Sequence, residues 1–453
     1  MKTIRTKIRK ILPENCKAYF VGGCVRDKLL GIASKDIDVT IVGSSPTQME
    51  EKGFHRVGKA FEVFIHPDLG HDFQFALARK ENSIGSGHTD FECIYEGVSL
   101  MDDLKRRDFT MNAMAIDVMS EDDTVIDPFG GQGHLRRWWL VPVGEHFMED
   151  PLRMLRGFRF AAKYQLSPNG EFYQYIAEMR SKNAYSSLSF ERINEEISKV
   201  VNTCTAMDTL QWMANILHHI GKTDHPLLSL LQQMGHLEQN PTHHPEGNVL
   251  VHTLSTVGFT LKMLKRPNVR FRSGTKDLTP DLETVFYAAL CHDLGKVLVA
   301  KDNEPMKYHG HYTEETAYKI YEILKQSRLS KNICQTCKRV ARYHHHMHDY
   351  KKLNHKTIAD MRITPEQSVV LYLVSKADCY AARQTPSNSY IQFLFVLLSL
   401  HALRGNAVKE VGSKDSVSNW DHKVRQKFLS NIGAERHRLA EIAEQASRYN
   451  KAK

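Results

Sequence analysis

The stretch Tyr19–Gly43, YFVGGCVRDKLLGIASKDIDVTIVG, constrains the fold more than any other part of this chain. It reads as a short apolar strand, a tight Gly22-Gly23 turn, a helix starting near Cys24, and a second strand that Asp36 and Asp38 enter. Side chains two apart on a strand point the same way. Two carboxylates so placed can grip magnesium ions that also hold a nucleoside triphosphate, the arrangement used for in-line displacement at phosphorus. Gly22 and Gly23 lack a Cβ, so backbone N–H groups can approach phosphates, and the helix start adds positive potential. Arg26 supplies a cation nearby. A GG pair or a DxD alone is also what a solvated turn looks like; the ordered set GG, VRD and DID between strands is more specific.

Downstream, Phe54–Arg79 alternates short apolar runs, expected as strands of the same sheet, and Glu81–Asp90 is expected as a polar loop over the site. In Asp102–Asp117, DDLKRRDFTMNAMAID, Arg106 and Arg107 offer cations to a triphosphate and Asp108 an acceptor to a ribose hydroxyl; taken alone, RRD reads equally as a solvated turn. The helix expected over Glu149–Tyr164 places Asp150 and Arg153 three apart on one face, with Arg156 and Arg159 continuing the stripe. An Arg donor beside an Asp acceptor matches the Watson–Crick edges of cytosine and adenine, while uracil and guanine present the opposite polarity. The pattern alone is also that of an ordinary salt-bridged amphipathic helix.

These segments together resemble the class II tRNA nucleotidyltransferases, the CCA-adding enzymes. The resemblance runs from GGCVRD and KDIDVTIVG through DLKRRDFTMNAMAID, DPFGGQGHL and EDPLRMLRGFRFAAKY to SFERINEE and LCHDLGK, closest to the bacterial multifunctional form with a C-terminal HD domain. It implies an α/β head of the polymerase-beta-like nucleotidyltransferase superfamily, then an all-α neck, body and HD domain. The expected division is 1–140 for the head, 141–240 for neck and body, 241–405 for the HD domain and 406–453 for a basic helical tail. It further implies untemplated addition of C, C and A to tRNA from CTP and ATP, with Mg2+ on Asp36 and Asp38. Nucleotide binding falls to Gly22, Gly23, Arg26, Arg106, Arg107, Asp108, Asp150, Arg153, Arg156 and Arg159. His134 stands where similar enzymes carry Asp.

Histidines, 24 in all, concentrate between His218 and His355. His252, His292-Asp293 and Asp378 follow the order of HD phosphohydrolases, and imidazoles with carboxylates suit a divalent transition metal such as Ni2+. His311, with His344 and His348 spaced i,i+4, could add phosphate or second-metal contacts; His309 is the weakest member. Family enzymes of this type hydrolyse 2′,3′-cyclic phosphates, 2′-nucleotides and phosphate esters, which the resemblance implies here as a second activity. The competing functions are a poly(A) polymerase of the same superfamily and a tRNA-binding protein with an inactive head.

Length and charge fit this outline. A chain of 453 residues exceeds one ordinary core and calls for several domains. A net charge of +9 favours a polyanionic partner. No apolar run reaches the roughly 18 residues of a membrane span, and the basic N-terminus lacks a signal-peptide core. The eight scattered cysteines fit a reducing cytoplasm; Cys334-x-x-Cys337 lacks the second pair of a zinc finger. A monomer or a homodimer is expected.

Overall fold

A computed structural model describes residues 2–384 apart from 35, 58–62, 84–90, 268, 274, 302–305 and 348–351, together with a few isolated positions beyond 384. The chain divides into two compact units, Met1–Tyr185 and Ser186–Lys453. His348, nearly all of the HD-domain end at 385–405 and nearly all of the 406–453 tail lie outside the described residues.

The first unit is built on a mixed sheet. Its strands are β1 (Lys17–Val21), β2 (Ile37–Val42), β3 (His55–Val57), β4 (Val63–His66), β5 (Gly70–Leu77), β8 (Ala115–Asp117) and β9 (Val125–Ile126), in the order β3-β4-β5-β2-β1-β8-β9. The run 54–79 therefore does supply strands of this sheet. The remaining pair, β6 (Lys80–Ser83) and β7 (Phe91–Ile94), forms a separate hairpin. The loop expected over Glu81–Asp90 is thus partly strand, since Glu81–Ser83 belong to β6, and 84–90 lie outside the described residues. β1 and β2 are central, antiparallel to each other with Val21 opposite Asp38, while β2 runs parallel to β5. Both central strands are mainly apolar, and Asp38 and Thr40 are the polar exceptions in β2.

The described residues of this unit also form α1 (Lys2–Ile11), α2 (Gly23–Leu29), α3 (Pro46–Glu51), α4 (Leu100–Lys105), α5 (Gly131–Arg136), α6 (Leu152–Tyr164) and α7 (Gly170–Ser181). Asp102 closes a capping box with Ser99 at the start of α4. Phe109, Phe147, Phe158 and Phe172 interlock beneath α6 with ring centroids 5.3–6.1 Å apart. Edge-to-face contacts of this kind add to the area that the rings bury.

The second unit is helical: α8 (Phe190–Thr203), α9 (Ala206–His219), α10 (Pro226–Met234), α11 (Val249–Leu264), α12 (Leu282–Cys291), α13 (Gly295–Val299), α14 (Glu314–Gln326), α15 (Lys331–Tyr343), α16 (His355–Asp360) and α17 (Pro365–Ala381). Ser189, Thr205, Asn248, Asp281 and Thr364 each accept a backbone N–H three residues on, so α8, α9, α11, α12 and α17 start where the sequence places a short polar cap. Gln239, between α10 and α11, is buried. Cys334 and Cys337 are free and buried inside α15, where burial pushes both thiols up, which keeps them protonated. Among the described residues no helix is long and apolar enough to cross a membrane.

Gly157 tests the aromatic layer. A Cβ there would lie 2.4 Å from the Phe172 ring and 2.9 Å from Phe109. The gain in helix propensity, about 1 kcal/mol, cannot offset such overpacking in a dense core. Gly157→Ala should destabilise the protein by about 1–3 kcal/mol, read as a lower midpoint in chemical denaturation.

Candidate active sites

In the head, backbone geometry brings three predicted residues together. Gly22 sits at φ +69°, and a Cβ there would come within 3.0 Å of Arg107 Nη1 and 3.4 Å of Asp38 Oδ2. Only glycine allows this turn and this approach. Asp38 lies within β2, whereas Asp36 is exposed and just precedes the strand. Burial raises the pKa of Asp38, Arg107 lowers it, and the neighbouring Asp36 raises it again. Two like charges that repel, one of them half-buried, form a donor pair that a divalent cation would relieve. Cys24 is not a nucleophile here: burial pushes its thiol up to about 11, and Sγ faces the Val21 carbonyl.

The arginines are held from beneath by a carboxylate that the sequence reading passed over. Asp103, buried at the end of α4, accepts from Arg106 Nη2 at 3.0 Å and from Arg107 Nη2 at 2.9 Å. Burial alone would raise this carboxyl, but the two arginines outweigh it and hold it low. Thr40 shares the contact, 3.3 Å from Asp103. The i,i+3 and i,i+4 spacing of Asp103 with Arg106 and Arg107 was a legible signal.

Arg26 is committed to the fold. Its guanidinium is buried and donates to Asp27 at 2.8 Å, Asn112 at 2.6 Å and Tyr164 at 2.6 Å. It reaches Asp38 only as a long-range charge. Asp108 is also fully engaged. Oδ1 accepts from the Phe109 N–H and Asn112, and Oδ2 accepts twice from Arg156, at 2.9 and 2.7 Å. Burial opposes ionisation, but Arg156, Asn112 and Arg153 hold this carboxylate well below its usual range. The ribose-acceptor role expected for Asp108 therefore finds its oxygens already bonded.

The helix expected from Glu149 begins at Leu152. Asp150 is extended (ψ 103°) and precedes Pro151, whose ring excludes the residue before it from helical geometry. Asp150 and Arg153 are thus not two positions on one helix face. They meet across the helix start: Asp150 Oδ1 accepts the Leu152 N–H at 3.1 Å, and the Arg153 N–H bonds the Asp150 carbonyl at 3.0 Å. The Arg153 guanidinium is clamped on two backbone carbonyls, His146 at 2.5 Å and Arg106 at 2.7 Å. This fixes its plane and leaves further N–H groups to aim at a base. Arg156 and Arg159 both pack on the Phe160 ring, Arg159 at 4.4 Å. His134, at the expected Asp position, bonds Thr110 Oγ1 at 2.9 Å and so still joins α5 to the segment after Asp108.

In the second unit, His252 from α11, His292 and Asp293 after α12, His344 after α15 and Asp378 from α17 converge. His252 Nε2 lies 3.4 Å from His292 Nε2, 3.0 Å from Asp378 and 3.7 Å from Asp293. His344 Nε2 stands 3.6 Å from Asp293 Oδ1, and both atoms are buried without a hydrogen-bond partner. A second group overlaps the first through Asp293: His311 and His345, with Nε2 atoms 3.0 Å apart. His309 is exposed, and His348 lies outside the described residues.

The tautomers are set by the backbone. His292, His311 and His344 each donate Nδ1–H to a carbonyl, of Ala289, Tyr308 and Val340, leaving Nε2 lone pairs turned inward. His252 is oriented instead by Glu246, whose Oε1 is 2.6 Å from Nδ1. Lys296 is buried and bonds Asp293 at 2.7 Å and Gln239 at 2.7 Å. Gly295 lets this turn close, since a Cβ would sit 2.1 Å from the His311 carbonyl oxygen. Glu246, Lys296, His345 and Gln239 were missed from sequence; only Lys296, three residues after Asp293, had a readable spacing. Buried imidazoles and carboxylates converging from four helices, with Asp293 Oδ1 and His344 Nε2 lacking a hydrogen-bond partner, fit a divalent metal that accepts both donor types.

Residues 18–140 match the Poly A polymerase head domain family, and residues 249–383 match the HD domain family. The chain is similar in structure to the Bacillus stearothermophilus CCA-adding enzyme solved with CTP: 19% identity, TM-score 0.59, covering all of this chain and 98% of that one. A further CCA-adding enzyme solved with CTP matches at 16% identity and TM-score 0.59, over 98% and 96% of the two chains. The Thermotoga maritima CCA-adding enzyme complexed with tRNA matches at 15% identity and TM-score 0.55, over 95% and 96%. The expected fold, a nucleotidyltransferase head followed by a helical body and an HD domain, is borne out, and it is the fold of the CCA-adding enzymes.

The electrostatics of His252 yield a test. Burial disfavours its charge, but Asp378 and Glu246 outweigh burial and push the imidazole up to about 9. In the metal-free protein this raised pKa adds stability that is fully present below about pH 6.5 and is lost as pH rises through about 9. A metal held by His252 Nε2 would displace that proton. Metal uptake at pH 7.5 should therefore release protons, measurable in a weakly buffered titration. Metal-free protein should lose thermal stability between pH 7 and 9 more steeply than the metal-loaded form.

Proposed function

Because this chain joins a Poly A polymerase head to an HD domain on the fold of the CCA-adding enzymes, we propose that it completes and repairs the CCA end of tRNA using CTP and ATP. We assign the head to 1–140, the neck and body to 141–240, the HD domain to 241–405 and a basic tail to 406–453. The observation that carries the reading is the meeting of the Gly22 turn, Asp38 and Arg107, a cradle too tight for a Cβ. Asp36 and Asp38 would hold Mg2+, which when bound lowers the pKa of the attacking 3′-hydroxyl and neutralises phosphate charge. Arg106 and Arg107, fixed on Asp103, counter the triphosphate. Arg153, clamped on backbone carbonyls, and the adjoining Asp150 present a donor and an acceptor to the base edge. Asp108 orients Arg156 rather than the ribose. Cytoplasmic residence belongs to this reading, supported by seven free cysteines among the described residues.

The HD domain is assigned a metal-dependent phosphohydrolase activity toward 2′,3′-cyclic phosphate, 2′-nucleotide and phosphate ester bonds. His252, His292, Asp293 and Asp378 would hold a transition metal such as Ni2+, which when bound supplies Lewis acidity and an activated water. His311, His344 and His345 would extend that donor set. Lys296, beside Asp293, keeps this carboxylate ionised.

The test uses tRNA ending at its discriminator base, with each nucleotide alone and then in combination. Wild-type protein should add CCA and stop; a long A tract would establish the poly(A) alternative, and no incorporation would sink both. Asp38→Asn should abolish incorporation while tRNA binding persists. Arg153→Ala should relax rejection of UTP and GTP by roughly ten- to a hundredfold, since a mispaired polar edge costs about 1–3 kcal/mol. Equal slowing of all four nucleotides would make Arg153 structural only. His292→Ala should eliminate hydrolysis of a 2′,3′-cyclic nucleotide and leave CCA addition largely unchanged.

A further inference from the structure

The outer edge of α11 and α17 carries a groove of about 370 Å³ that runs into a second of about 210 Å³. The two share Met263, Arg266 and Lys376 as walls, so they form one continuous channel. Lys262, Arg266, Arg270, Arg272 and Lys376 line it, and among the described residues no Asp or Glu does. None of these five cations forms a salt bridge among the described residues. The exposed Asp277, opposite Arg272 in a short hairpin, acts on Arg270 and Arg272 electrostatically without a salt bridge. A surface that gathers this excess of positive charge destabilises itself unless an anion covers it.

Aromatic rings are interleaved with the charges. Phe259 and Tyr380 face each other across the helices at 5.8 Å, both more than a third exposed. Phe271 meets Tyr372 at 6.4 Å, and Lys376 lies 5.5 Å over the Tyr372 ring. On α17, Tyr372, Lys376 and Tyr380 recur every four residues, so they form one stripe. On α11, Phe259 and Met263 do the same, with Arg266 continuing beyond the helix end. Phe259 is seven residues from His252, about 10 Å along the helix axis. The channel shares no residue with the metal donors, and its five cations suit a chain of phosphates better than one phosphate ester.

We propose that this channel is a docking surface for RNA, its cations tracking the phosphodiester backbone and its exposed rings accepting unpaired bases. Charge complementarity selects the occupant: an array of cations and rings without acids is what single-stranded nucleic acid recognises, whereas a protein partner would need carboxylates or a larger apolar centre. The inference rests on the proposed use of an RNA substrate but assigns a site that neither active centre contains.

The test uses the full chain and two probes, tRNA lacking CCA and a single-stranded oligocytidylate. Arg266→Glu with Lys376→Glu should raise Kd for both RNAs at least about tenfold near 0.1 M salt. The slope of log K against log salt should flatten by about 2, one unit or slightly less for each lost phosphate contact. Arg266→Gln with Lys376→Gln should give a smaller shift in the same direction, and an unchanged melting temperature excludes misfolding. The KM for CTP and the rate at saturating tRNA should stay as in wild type. Unchanged affinity and salt slope in both variants would overturn the proposal, as would a change confined to self-association in sedimentation. Channel-dependent oligocytidylate binding by a wild-type protein that adds no CCA would uphold the channel and overturn the proposed function instead.

Discussion

Asp108 and its bond to Arg156 tie the segment after α4 to α6, the two parts of the first unit that carry the candidate site. The carboxylate is buried at the end of the loop leaving α4, and the guanidinium projects from α6, 48 residues later. A buried ion needs partners for every lone pair, and Asp108 has them in Arg156, Asn112 and the Phe109 N–H. Removing one partner of such a pair leaves an uncompensated charge, a loss of about 3–5 kcal/mol. The register of α6 against the sheet is therefore not free to slide. Arg153, one turn before Arg156, inherits that register and reaches the carbonyls of His146 and Arg106. Arg153 is held rigidly because the charge beneath it cannot be left alone.

The same device recurs in the second unit with a different charge balance. Asp293 is buried among Lys296, His292 and His344, which hold it ionised against burial. Glu246 keeps the His252 ring turned, while backbone carbonyls turn His292, His311 and His344. Four of the imidazoles are thus pre-oriented before any cation arrives. Preorganisation of this kind raises affinity by removing the ordering cost from the binding step. It also explains why the metal-free centre tolerates a protonated His252: the proton occupies the place where the donors would otherwise repel one another.

Sequence reading recovered what is local. The Gly22-Gly23 turn, the strand carrying Asp38, the arginines of RRD and the order H, HD, D follow from spacing along one element. What it missed is held across space or at element ends. Asp150 was placed on a helix face because a three-residue spacing looks helical, but Pro151 forces Asp150 into extended backbone and the helix starts after it. Glu246 sits in a loop six residues before His252, where no period marks it. Arg26 looked like a substrate cation because it follows the glycine turn. Its partners Asn112 and Tyr164 come from distant segments, so only the folded chain reveals that its charge is spent internally. Asp108 misled in the same way.

These misses share a cause that bears on how such a site works. A charged side chain near a substrate can either meet the ligand or hold another side chain in place, and sequence does not separate the two. Burial does. Arg26, Asp103 and Asp108 are each under a tenth exposed and carry bonds to neighbours, whereas Asp36 is open to solvent. Between these extremes lie Asp38, Arg106 and Arg107, half-buried, anchored on one side and accessible on the other. Groups of this intermediate kind have the fixed geometry that discrimination requires and still keep an open edge for the ligand. Arg153, half-buried and clamped on two backbone carbonyls, is of the same kind, so under the proposed function it could discriminate between base edges, where a mobile arginine would adapt to any base and a buried one could reach none.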